Sequence, residues 1–268
     1  NRFIPESPRF LSNAGLGDQA REVLAKFSGV IDKDHAVNLN SAAQANDSQT
    51  GGFLQLMRGS HAAITWGLTV CGVAWGLVNF GFLLWLPTNL GSMGMDASAA
   101  SALLARSAIL ALPGILLVIW LYHSWNSIKT LVCFIALTTG TLLIFFFLGA
   151  MGIRSTGAMV ATTALLLVSA SGVIATLIPY AAEIFPVHLR ATGSGLIAAS
   201  SKFGGILGAV CGVLGLFNDL AWSALCIAVP MALSAFMLIR SGIDTRGRRL
   251  EEIQDAVLKK QKAAMRSR

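Results

Sequence analysis

Charge is what this sequence has least of. Only 12% of its 268 residues are Asp, Glu, Lys or Arg, against roughly 25% in a soluble domain. Apolar residues make up 54%, and the mean hydropathy is +0.67. A water-soluble globular domain is excluded, and so is a protein with a single anchor. Cysteine is also scarce. Cys71, Cys133, Cys211 and Cys226 all fall inside apolar runs, with neither metal-ligand spacing nor disulfide logic, and read as small buried hydrophobes. The four histidines, His35, His61, His123 and His188, lie between the runs at one predicted side and share no spacing. There is no HExxH, phosphate loop or G-x-S-x-G. Neither an enzyme nor a cofactor is expected. The net charge of +7 would suggest nucleic acid in a soluble protein. In a membrane chain the excess of Lys and Arg on cytoplasmic loops explains it, and no nucleic-acid partner is expected.

Six apolar runs are each long enough to cross a bilayer, which takes about 20 residues. They lie near Ala62–Leu90, Ala99–Tyr122, Lys129–Ala150, Thr156–Ala182, Thr192–Phe217 and Leu220–Arg240. Before them, residues 1–61 are polar. There Leu16, Ala20, Val23, Leu24 and Phe27 recur at helical spacing and predict a short amphipathic helix. Residues 38–52, rich in Asn, Ser, Gln and Ala, read as loose. Asn46-Asp47-Ser48 fits a glycosylation pattern, which a cytoplasmic loop would leave unmodified. After the runs, residues 241–268 are basic, and Leu250, Ile253 and Val257 predict a surface helix.

The stretch Pro179–Gly195, PYAAEIFPVHLRATGSG, is a polar island between two apolar runs. Pro186 cannot continue a helix and biases Phe185 away from helical geometry. The reading is a membrane-surface corner, with the next helix opening at Gly193 and Gly195. These residues resemble the loop between the tenth and eleventh helices of the major facilitator superfamily. In its sugar-porter and organic-ion branches that loop runs Y-x-x-E-[LI]-[FY]-P-x-x-x-R-x-x-G-x-G. Two further segments match in order: PESPRFL at Pro5–Leu11 resembles the segment after the sixth helix, and DTRGRRLEEI at Asp244–Ile253 the segment after the twelfth.

The resemblance implies an all-α membrane protein. Its six transmembrane helices would be the C-terminal half of a twelve-helix major facilitator fold, with a cytoplasmic linker and tail. The expected domains are the linker, 1–61, a six-helix bundle, 62–240, and a basic tail, 241–268. Within the bundle the resemblance implies two three-helix repeats, about 62–150 and 156–240. The chain begins at Asn1, has no signal-peptide pattern, and opens on a motif that in the family follows six helices. The expectation is a fragment whose N-terminal six-helix half is missing. Apart from Arg106, Arg154 and Lys202, the 20 Lys and Arg residues all fall at one side of the spans. That asymmetry places both ends of the chain in the cytoplasm. A plasma membrane is expected, the bacterial inner membrane first.

Few polar side chains lie inside the spans. Lys202 is about ten residues into the fifth, roughly 15 Å at 1.5 Å per residue, near the middle of a ~30 Å hydrocarbon core. A lysine there costs a few kcal/mol on insertion scales, so it faces a water-filled cavity or a partner, or it snorkels to the surface. Arg106, about two turns into the second span, either lines an outer vestibule or snorkels. The spans hold no mid-membrane acid to pair with these cations, and together they favour an anionic substrate such as a carboxylate. Trp75 and Asn79, four apart, share a helix face. They either line the cavity, as the resemblance implies for this helix, or pack within the bundle. Trp66 and Trp85, near span ends, fit interfacial belts. Gly204, Gly208 and Gly212 form a ladder for close helix packing, and Pro113-Gly114 and Pro230 are candidate kinks.

Glu183 and Arg190 pair with each other or across to another cytoplasmic loop. The resemblance makes them part of a charge network that closes the inner gate. The loop after the second span departs from the family pattern, with LYHSWNSIKT in place of an acid and a G-R-[RK] cluster. The function expected is a secondary active transporter of a small organic solute, working by alternating access; because no acid or histidine sits mid-span, either a proton site lies in the missing half, the preferred reading, or the carrier is a uniporter. A non-transporting scaffold or sensor, or an inert remnant of such a carrier, is the alternative.

Overall fold

The computed structural model describes residues 6–8, 11, 15–28, 53–58, 61–92, 94–153 and 155–245. Two compact units make up the chain, Asn1–Gly51 and Gly52–Arg268. The first holds α1, Gly17–Ser28, the amphipathic helix that the apolar spacing predicts. Of PESPRFL, Glu6, Ser7, Pro8 and Leu11 are described, whereas the Asn-rich stretch, the glycosylation pattern and the tail helix lie outside the described residues.

The second unit opens with α2, Phe53–Arg58. The first span follows in three pieces: α3, Ala62–Gly76, a π-helical stretch π1, Leu77–Leu83, and α4, Leu84–Ser92. Then come α5, Ala97–Ser124, α6, Ser127–Ala150, α7, Thr156–Ile184, α8, Val187–Val213, and α9, Leu220–Ser241. Among the described residues, six helices are long and apolar enough to cross a membrane. The order α3–α9–α6–α7–α8 and back to α3 closes a ring of neighbours, and α5 lies against α7 on its flank. α5 is accordingly the least buried span. The core of the ring includes Phe82 stacked edge-on to Phe145, with centroids 5.0 Å apart, and fully buried Phe134 and Tyr180.

Local chemistry sets the helix ends. Asp219 caps α9 by accepting the Trp222 N–H at 2.7 Å, and Ser155 caps α7 through the Ala158 N–H at 3.5 Å. α6 and α8 end in turns where Gly152 and Gly215 take φ of 64° and 76°, which side chains rarely adopt.

The corner at Pro186 is tighter than the sequence suggests. Pro179 lies inside α7, and only Phe185 and Pro186 leave helical geometry, with ψ of 136° and 158°. α8 therefore begins at Val187, not at Thr192, and LRATGSG is helical. Pro186 sits at the N-cap, where a fixed φ and a missing N–H carry no penalty. The polarity of this stretch does not mark loss of helix. The helices also run on through Pro113, Gly114 and Pro230. The change of helical pitch comes at Leu77–Leu83, which contains no proline.

The glycine ladder packs as expected. A Cβ on Gly76 would strike the Ser201 carbonyl, and one on Gly204 would strike the Val73 carbonyl. Gly208 meets Gly81 of π1 backbone to backbone, and Gly212 lies under the Trp85 indole. α3 and π1 thus sit against α8 with almost no side chain between them, the close approach that small residues permit in membrane helices. His123 falls in the last turn of α5, not in a loop.

Candidate functional site

Lys202 is exposed on α8, and its Nζ stands 5.9 Å from the centroid of Phe80 in π1. It has no carboxylate partner among the described residues. With α8 starting at Val187, Lys202 lies roughly 22 Å along from that end and roughly 16 Å from Val213, at 1.5 Å per residue. The hydroxyls of its neighbours Ser200 and Ser201 donate within α8 to the carbonyls of Ile197 and Ala198, at 2.7 and 2.8 Å. They take no part in presenting the lysine. On the same exposed strip stand Ala198, Ala199, Phe203 and Ile206. A lone ammonium flanked by aromatic and aliphatic surface suits a ligand that is anionic at one end and apolar elsewhere.

Arg106 is exposed on α5, and no hydrogen bond or ion pair ties it to another described residue. α5 packs on α7 and α8 packs on α3, so the two cations stand on separate parts of the bundle.

Trp75 and Asn79 spend their donors differently. The Trp75 indole N–H donates to the Ala170 carbonyl of α7 at 2.8 Å. The Asn79 amide donates to the Trp75 carbonyl at 3.1 Å. The indole N–H is thereby committed to joining the first and fourth spans. Asn79 lies in π1, where the helix is wider than α, so the simple four-residue face does not hold.

Glu183 and Arg190 are both half-buried, and they do not pair with each other. The Glu183 carboxylate accepts the Tyr122 hydroxyl at 2.8 Å and the Thr245 hydroxyl. Arg190 keeps a buried Nε without an acceptor among the described residues. Around Glu183 lies a network that sequence reasoning missed. The Tyr180 hydroxyl donates to the Ile243 carbonyl and accepts the Ile243 N–H, each at 3.0 Å. The Asn126 amide donates to Asp244. A signal was available: Tyr122 and Tyr180 are the chain's two tyrosines, and both sit near the same ends of spans as Glu183.

Among the described residues no group of His, Cys, Asp and Glu could hold a metal ion.

Comparison with known proteins agrees with this architecture. Residues 2–257 match the family described as sugar (and other) transporter. NiaP of Bacillus subtilis (strain 168), named for niacin/nicotinamide transport, is 27% identical over 177 residues, covering 64% of this chain and 42% of NiaP. Human solute carrier family 22 member 13 is 24% identical over 264 residues, covering 95% of this chain and 45% of the relative. The proton:xylose symporter XylE, a major facilitator protein solved with 6-bromo-6-deoxy-D-glucose, superposes with a TM-score of 0.65 at 18% identity. It matches 95% of this chain and 55% of its own. This chain thus spans about half the length of the relatives it matches. With its six-span bundle and a family match over nearly its whole length, the chain is a multi-pass membrane protein of the sugar (and other) transporter family, a family of carriers and not of enzymes, and it shares the fold of a major facilitator protein.

Proposed function

We propose that this chain is the C-terminal half of a secondary carrier for a small organic anion, a carboxylate first among them. Lys202 carries the reading: it is exposed within an apolar span, over an aromatic ring, with no acid paired to it among the described residues. An ammonium at such a depth is stable only where water or an anion reaches it. The face that bears it would look into a cavity between this half and an N-terminal one, the place where carriers of this architecture hold their cargo. Phe80 would lie against the apolar part of the solute. Asn79, whose side-chain oxygen remains available, would accept a hydrogen bond from it, and Trp75 would fix the wall behind. Arg106, on α5, would draw anions towards the outer mouth.

The end of the bundle that holds Asn126, Glu183 and Thr245 would face the cytoplasm of a bacterial cell, as the distribution of Lys and Arg favours. The name of NiaP includes niacin, a small aromatic carboxylate, and XylE is a proton symporter. We infer inward transport of the anion together with a proton. The proton site would lie in the N-terminal half, because no Asp, Glu or His lies mid-span among the described residues.

The test is uptake by the complete protein in proteoliposomes. Labelled niacin and aliphatic carboxylates are compared with sugars, with and without an inward proton gradient. Acid uptake that is driven by the gradient and falls at least tenfold in Lys202→Ala supports the assignment. Uptake of a neutral sugar that ignores the substitution refutes the anion site. Absence of uptake for every solute favours a non-transporting role.

A further inference from the structure

The short segment that leaves α9 does not run free. Gly242 packs on Ile128 of α6 so closely that a Cβ would overlap it. Ile243 is held through both its backbone groups by one hydroxyl, that of Tyr180 in α7. Asp244 takes the amide of Asn126 at the α5–α6 corner. Thr245 donates to Glu183 of α7, whose other oxygen holds Tyr122 in the last turn of α5. Ile243 and Thr245 are buried, at 8% and 7% exposure.

We propose that Gly242–Thr245, with Tyr122, Asn126, Tyr180 and Glu183, forms a static clasp. It joins the exit of the last span to the ends of the second, third and fourth. Glu183 is the knot of this clasp and not the partner of Arg190. The reason is the chemistry of its donors. Both groups on the Glu183 carboxylate are neutral hydroxyls, and a hydrogen bond to a charged acceptor is about twice as strong as a neutral one. The carboxylate is thus held by two donors with no cation beside it among the described residues. Arg190 makes no contact with it, and removing the carboxylate would leave the half-buried Tyr122 hydroxyl and the buried Thr245 hydroxyl unmatched. The same ends of α5, α6, α7 and α9 therefore move as one body. Arg190 stands on α8 outside the clasp, and its buried Nε has no acceptor among the described residues. The two residues that the resemblance places at an inner gate thus divide their roles: Glu183 holds this half together, and Arg190 stands outside that network.

Double-mutant cycles on the complete protein separate the two arrangements. Two rate constants are read for each variant, that of unfolding and that of solute exchange. In the clasp, Glu183→Gln and Thr245→Val share one interaction. Each alone speeds unfolding several-fold, and the pair together exceeds the stronger single variant by less than about two-fold. Glu183→Gln and Arg190→Gln touch nothing in common. Their effects on both readouts multiply within about two-fold, the scatter expected for independent sites. A Glu183–Arg190 coupling of five-fold or more, or fully multiplying effects of Glu183→Gln and Thr245→Val, overturns the proposal. If Glu183→Gln does not fold, Tyr122→Phe with Thr245→Val is the second cycle. Both donors act on one carboxylate, so coupling between them supports the clasp and independence refutes it. A readout of the clasp itself is alkylation of Ile243→Cys in a variant without other cysteines. Tyr180→Phe is expected to raise that rate at least tenfold, and an unchanged rate counts against the clasp.

Discussion

Replacing Gly76 by Ala tests the closest contact in the bundle. Gly76 faces α8, and the added methyl would meet backbone: the Ser201 carbonyl, the Gly205 nitrogen at 2.6 Å and the Gly204 carbonyl carbon at 2.8 Å. None of these is the end of a flexible side chain. Relief requires moving α3 away from α8, which also strips the contacts at Gly204, Gly208 and Gly212. Overpacking costs about 1–3 kcal/mol, and rigid backbone on the receiving side puts this site at the upper end. Hydrophobic burial cannot compensate, because lipid is as apolar as the helix interface. Gly140 of α6 is the control. Nothing lies within 4 Å of a Cβ there, so Ala gains only its helix propensity, about 0.5–1 kcal/mol. The two identical substitutions are thus expected to have opposite signs. The assay is reversible unfolding of the purified protein by denaturing detergent, with both variants compared to the parent. A neutral or stabilising Gly76→Ala would refute the close approach of α3 and α8.

Two further outcomes follow from single contacts. Asp219→Ala removes the acceptor for the Trp222 N–H and is expected to cost about 1 kcal/mol, whereas Asp219→Asn restores most of it. The same unfolding assay reads both, and equal losses would show that the cap is not what Asp219 contributes. Trp75→Phe breaks the bond to the Ala170 carbonyl between the first and fourth spans, with an expected loss of about 0.6–1.7 kcal/mol from the polar contact alone. A variant of unchanged stability whose solute affinity drops would instead make the indole N–H a binding group.

The number and order of the spans were legible without any structure. Crossing a bilayer imposes a local requirement, about 20 apolar residues in a row, and a local pattern is what a sequence displays. The glycine ladder in α8 was legible for the same reason: its spacing follows from helix geometry alone. The corner at Pro179–Gly195 was only half legible. Proline marked the break, but polar residues on either side concealed how short it is, since a helix leaving the membrane is polar without being a turn.

Partnership was far less legible. Glu183 and Arg190 stand seven positions apart in one motif, yet the acid binds Tyr122 and Thr245, 61 and 62 residues away in sequence. Trp75 and Asn79 look like a presented pair until Ala170, 95 residues on, takes the indole N–H. Lys202 was conspicuous in the sequence as a cation inside a span, but its exposed setting over Phe80 depends on how π1 lies along α8. The sequence by itself determined that this chain is a six-span membrane bundle, because insertion responds to hydropathy averaged over each stretch. Only the tertiary structure decided which polar groups satisfy one another, because a hydrogen bond forms between groups brought within about 3 Å by packing, whatever their distance along the chain.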